Sequence, residues 1–186
     1  MAAWRQFCPV FFGIILLAAA AAFAASKADA KSDKVGIAQH PSGSELMGEW
    51  RLVRTPDPAG GADAISIMHA ADTSRSDLDL VGLMIRCGKG SPEAVIVLLR
   101  PFPLRAQLNV VVGEAGNETR FEATVALPGT AVLVPADATS LVTVSWRTLN
   151  DLFIRVEDGQ IKILGVVALA GLHPAFKLLT ANCPTQ

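Results

Sequence analysis

Phe121, Ala123, Val125 and Leu127 alternate with Arg120, Glu122, Thr124 and Ala126. That period of two belongs to a half-buried antiparallel strand. Segments of the same kind recur from residue 50 to residue 169 and confine the chain to a β-rich fold. Trp50–Arg54 is a short candidate, ended by Pro56 and Pro58, and Ala64–Met68 is another. Leu78–Leu80 followed by Leu83–Cys87 predicts a longer strand with a bulge at Gly82, in which Leu83, Ile85 and Cys87 share a face. Gly88–Pro92 is a turn cluster, and Ala94–Leu99, apolar on both faces, belongs in the middle of the domain. Gln107–Val112 and Ala131–Val134 extend the sheet, with Gly113–Asn117 as a turn. Leu152–Val156 and Ile161–Leu169, joined at Glu157–Gln160, predict a hairpin.

The period then changes. Leu172, Phe176, Leu179 and Cys183 fall on one helical face, and Pro174 fits only the first turn of such a helix. Residues 137–150 are ambiguous. Val142, Val144 and Trp146 suit a strand, whereas Val142, Trp146, Leu149 and Phe153 suit a helix with Asp137 or Thr139 as its N-cap. The fold class expected is therefore mainly β, a β-sandwich or a curled antiparallel sheet, closed by a C-terminal helix.

The N-terminus reads as an address. Arg5 precedes an uncharged stretch from Phe7 to Phe23, centred on Phe11–Leu17. Ala22-Phe23-Ala24 and Ala28-Asp29-Ala30 are candidate cleavage sites, as in a secretory signal peptide. An uncleaved anchor is the competing reading, but the stretch is short for a span and ends in small residues. Cys8 precedes the apolar run, which argues against lipid attachment. Residues 26–45 mix small and charged side chains without period and read as a flexible tether, His40 included. The expected organisation is a signal peptide at 1–25, the tether at 26–45 and one domain at 46–186, periplasmic or secreted, without stable membrane insertion after cleavage.

Without the leader, 15 Lys and Arg face 17 Asp and Glu, a net charge of −2. Such a balance gives no global electrostatic reason to bind nucleic acid. Cys87 and Cys183 remain, and an even count in an oxidising compartment predicts one structural disulfide. They lack the Cys-x-x-Cys spacing of a redox motif, and no His stands near them to make a zinc site.

Catalytic signals are sparse. The chain has no Gly-x-Ser-x-Gly, no His-Glu-x-x-His and no EF-hand loop. Gly82–Lys89 has one residue too many for a phosphate loop, and Gly90 replaces the hydroxyl that would hold magnesium. His69 ends a strand with Asp72 three residues on and reads as a surface polar residue; His173 sits at the helix start. Asp77 and Asp79 are expected to share a solvent face, a weak candidate for a carboxylate pair. Asn117-Glu118-Thr119 fits the glycosylation pattern but reads as a polar turn. Trp50 and Trp146 read as core; their scarcity, with no Tyr, argues against a broad glycan or single-strand platform. No catalytic, metal-ligating or cofactor-binding residue is assigned, and no cofactor is expected.

Three segments together resemble the VasI-type proteins associated with type VI secretion: Glu49-Trp50-Arg51-Leu52, Leu83-Met84-Ile85-Arg86-Cys87, and Ala170 through Cys183. The invasion-associated locus B proteins have a similar exported layout. The chain differs from the VasI-like pattern at Leu108-Asn109-Val110-Val111-Val112, where that pattern carries an aromatic followed by Arg. The resemblance implies a β-rich domain, a further helix near 137–149 and no known catalytic residues. The functional expectation is a non-catalytic accessory or binding protein of the cell envelope, active in secretion or host interaction, with a protein partner. The alternatives are a small periplasmic hydrolase with an unrecognised site and an apolar-ligand carrier.

Overall fold

The computed structural model describes residues 45–114 and 116–183. The leader, Cys8, both cleavage candidates, His40 and residues 26–44 of the expected tether lie outside the described residues. Among the described residues ten strands make one antiparallel sheet: β1 (Glu45–Met47), β2 (Trp50–Thr55), β3 (Ala64–Ala70), β4 (Leu80–Cys87), β5 (Pro92–Leu98), β6 (Gln107–Glu114), β7 (Asn117–Ala126), β8 (Ala131–Asp137), β9 (Asp151–Asp158) and β10 (Ile161–Ala168). Their order is β1-β2-β3-β4-β5-β8-β7-β6-β9-β10. The protein is mainly β, with a C-terminal helix and one further helical segment.

Alternation decides the inner face. Leu52, Ile67, Ile85, Ile96, Val110, Val125, Val132, Ile154 and Val167, drawn from nine strands, join one continuous core. Each such side chain contributes about 1.5–3 kcal/mol on burial. β5 lies inside the sheet between β4 and β8, and Val95 is buried on the face opposite Ile96, as its doubly apolar sequence predicts. The sheet curls until β10 meets the connection between β3 and β4. Asp72 N–H donates to Val166 O at 2.9 Å and Asp77 N–H to Leu164 O at 2.8 Å. Leu164 N–H donates to Asp77 Oδ2 at 2.8 Å, and Val166 N–H to Ser76 Oγ at 2.9 Å. These bonds satisfy part of the edge that β10 would otherwise present.

A helical turn, α1 (Ala138–Ser140), continues as a π-helical turn over Leu141–Ser145. The Asp137 carboxylate caps it, accepting from Thr139 N–H and Ser140 N–H. Helical spacing wins over the strand alternative because Val142 and Trp146 are buried while Val144 faces solvent. The last element, α2 (Leu172–Asn182), holds Pro174 in its first turn and buries Leu172, Ala175, Phe176 and Leu179. It packs on β2, β3 and β4. Arg54 Nη2 donates to Asn182 Oδ1 at 2.6 Å, and a disulfide joins Cys183 to Cys87 with the Cα atoms 5.6 Å apart. The tail is thus bonded to the end of β4, a strand flanked by β3 and β5.

Three local expectations change. Leu78 and Asp79 form a turn, and β4 starts at Leu80 with its register shift between Leu80 and Gly82. At Gly82 a Cβ would run into the His69 carbonyl, so only glycine fits. Leu127 does not continue the alternation of β7; the strand ends at Ala126 and Leu127 is 76% exposed in the following turn. Asn117 opens β7, so the Asn117-Glu118-Thr119 segment is strand and the turn before it is shorter than expected. Among the described residues no helix is long and apolar enough to cross a membrane.

Candidate functional site

The outer face of β6, β9 and β10 carries an apolar groove. In the ladder, Val111 pairs with Arg155 and Arg155 with Leu164; one row on, Gly113 pairs with Phe153 and Phe153 with Val166. Val111 and Val166 are buried and floor the groove, while Phe153 is 49% and Leu164 42% exposed at its walls. Gly113 offers no side chain opposite Phe153, which leaves a depression of about 290 Å³. Outward apolar side chains clustered in this way mark contact surfaces more often than scattered ones do.

Charged groups stand at both ends. Arg75 lines the groove with its Nε 2.6 Å from Asp72 Oδ2 and its Nη1 2.7 Å from Asp151 Oδ2. Its guanidinium is held further toward the charged form by Asp151 and then Asp72. Hydrogen bonds from the Ser74 hydroxyl first, then from Arg75, hold the Asp72 carboxyl down at about 2. Arg75 also lowers Asp151. Arg155 is paired more loosely, its Nη2 3.7 Å from Glu118 Oε2 and its Nε 3.4 Å from Glu157 Oε1.

A second cavity, of about 600 Å³, opens between the β1–β2 turn, the end of β3 and the end of β10, and is lined by Glu49, Arg51, His69, Asp72 and Thr73 among others. His69 is not the surface residue the sequence suggests: it is 7% exposed. The alternation of β3 turns it inward with Ile65 and Ile67, and its ring lies 5.2 Å from that of Trp50, tilted by 59°. His69 Nδ1 lies 2.6 Å from Ala70 O and Nε2 lies 3.1 Å from Glu49 Oε2. Both ring nitrogens therefore face acceptors. Asp72, close in sequence, does not orient the imidazole; its carboxylate receives Ser74 N–H, Ser74 Oγ–H and Arg75 Nε–H. The carboxylate at the imidazole is that of Glu49, and among the described residues no side-chain hydroxyl or thiol is hydrogen-bonded to either ring nitrogen, as a nucleophile–base–orienter arrangement needs.

The other candidates separate. Asp77 and Asp79 do not share a strand face, because both precede β4: Asp77 accepts from Leu164 N–H, and Asp79 Oδ2 lies 3.4 Å from Arg100 Nε. His173 is exposed at the start of α2. Trp50 and Trp146 are core. Cys87 and Cys183 are joined to each other. Among the described residues no group of three or more His, Cys, Asp or Glu is placed to hold a metal ion. The sequence places Phe153 on a candidate helical face with Val142, Trp146 and Leu149, whereas it lies in β9, and it assigns neither Phe153 nor Leu164 to a binding surface. Their signal was present in Leu152-Phe153-Ile154 and Val110-Val111-Val112, where adjacent apolar residues fill both faces of a strand.

No protein-family model, curated protein or solved structure matches the chain.

Proposed function

We propose that this is a non-catalytic accessory or binding protein of the cell envelope, acting in secretion or host interaction, and that it receives a protein partner in the groove on β6, β9 and β10. The observation that carries this reading is the pair Phe153 and Leu164, half-exposed over the buried floor of Val111 and Val166. The continuous apolar core on the inner face weighs against the carrier alternative. The occupation of both His69 ring nitrogens by Ala70 O and Glu49 Oε2 weighs against the hydrolase. The disulfide fits an oxidising compartment, in keeping with the export-type leader and with the resemblance to VasI-type and invasion-associated locus B proteins.

Affinity capture from envelope extract tests this. The wild-type protein and a Leu127→Ser control retain a discrete protein partner that Phe153→Ser loses. Retention by all three, or recovery of a small molecule without protein, overturns the reading.

A further inference from the structure

We infer that Glu49 and His69 form an acid-closed latch between the β1–β2 turn and the end of β3, separate from the groove on β6, β9 and β10. The latch holds while the imidazole carries two protons and releases when it loses one. Nδ1 faces the Ala70 carbonyl oxygen at 2.6 Å and Nε2 faces the Glu49 carboxylate at 3.1 Å. Both oxygens only accept, so an imidazolium donates to each. A neutral ring has one N–H, and its other nitrogen then sets a lone pair against an oxygen lone pair.

The two contacts differ in their freedom to yield. Ala70 closes β3 and pairs with Gly82 of β4, so the sheet fixes its carbonyl. The ring is buried against Trp50. The Glu49 side chain, by contrast, is 80% exposed and stands in the turn between β1 and β2. The proton that stays is therefore the one on Nδ1, and Glu49 is the group that moves away. Its departure frees one wall of the cavity of about 600 Å³ that the two residues line together.

The surrounding charges leave this pair in control. The other ionisable groups of the cavity lining are Arg51, which is exposed, and Asp72. Asp72 titrates at about 2 and stays ionised throughout the range in which an imidazole changes charge, about pH 5–8. Among the elements packed on β3, β2 also carries Arg54, bonded to Asn182, and β4 sets Leu83 opposite His69, with its Arg86 bonded to Glu93. On α2, His173 and Lys177 are exposed, and β10 brings the uncharged Ala168 to the cavity.

The test is NMR of the disulfide-intact protein between pH 5 and pH 8. Ring ¹⁵N shifts report which nitrogen carries a proton, and the Gly48 and Glu49 amides report the turn. Both ring nitrogens are protonated at the acid end. Toward the alkaline end Nε2 alone loses its proton, and the two turn amides shift with the same midpoint. In Glu49→Gln the side-chain amide offers an oxygen to the charged ring and an N–H to the neutral one, so the ring still titrates while the turn amides lose their pH response. A response retained in Glu49→Gln is the field of the ring charge alone and overturns the latch. So does a ring that does not titrate in this range, proton loss from Nδ1 in place of Nε2, or a turn that does not follow the ring.

Discussion

Cys87 and Cys183 lie 96 residues apart in sequence and 5.6 Å apart between Cα atoms, and their bond fastens the cap of α2 to the end of β4. In the loop-entropy description, closing a loop of this length restricts the unfolded chain by about 4–5 kcal/mol, and removal of native disulfides costs about 2–5 kcal/mol. Cys183→Ser should therefore lower Tm well below that of Lys177→Ser, an exposed position on the same helix. Non-reducing peptide mapping should find the two cysteines joined. Equal melting temperatures for the two variants would mean that the bridge adds little.

The contact of His69 with Glu49 gives an asymmetric pair of variants. His69 is almost wholly buried against Trp50, whereas the Glu49 side chain is 80% exposed. His69→Ala removes packing and leaves polar partners unmet, at a cost of about 1–3 kcal/mol. Glu49→Ala removes only a solvent-screened contact, at under about 1 kcal/mol. Urea unfolding with the disulfide intact measures both, and a larger loss for Glu49→Ala would contradict the burial of His69.

Asp72 supplies a pH signature. Its folded-state value, about 2, lies below the ordinary 3.8 because it accepts hydrogen bonds from Ser74 and Arg75. A carboxyl depressed in this way stabilises the fold fully above the unfolded value, and the contribution fades as pH falls from about 4 toward about 2. Carbon-detected NMR should find Asp72 titrating near 2 in the wild type. Ser74→Ala and Arg75→Gln should each raise that midpoint, and titration near 3.8 in the unaltered protein would refute the assignment.

Much of this was legible in the residues. The strands showed because apolar side chains alternate, and β5 showed as interior because Ala94 through Leu99 are apolar on both faces, although Leu99 itself lies beyond the strand and is 63% exposed. The helix face of Leu172, Phe176 and Leu179 led directly to Cys183. Leu78 and Leu127 were misread because alternation can run on through a turn, where exposure is decided by the path of the chain and not by composition. The inward turn of His69 lay in the phase of β3, but a polar type at a strand end masked it. Composition left residues 137–149 undecided until the exposed Val144 separated helix from strand. The groove needed knowledge of which strands become neighbours: Gly113 and Phe153 are 40 positions apart, and only the β6–β9 pairing sets them together. The cover over the β10 edge is likewise a long-range result, made by backbone N–H groups of Asp72 and Asp77 together with the side chains of Ser76 and Asp77.

The most direct test is photo-crosslinking in living cells, with a benzophenone amino acid at position 153, 164 or 127. The account predicts that 153 and 164 capture the same discrete protein, while 127, more exposed but in the β7–β8 turn, captures nothing above background. Crosslinks from 127 alone, or no protein adduct from either groove position, would contradict it.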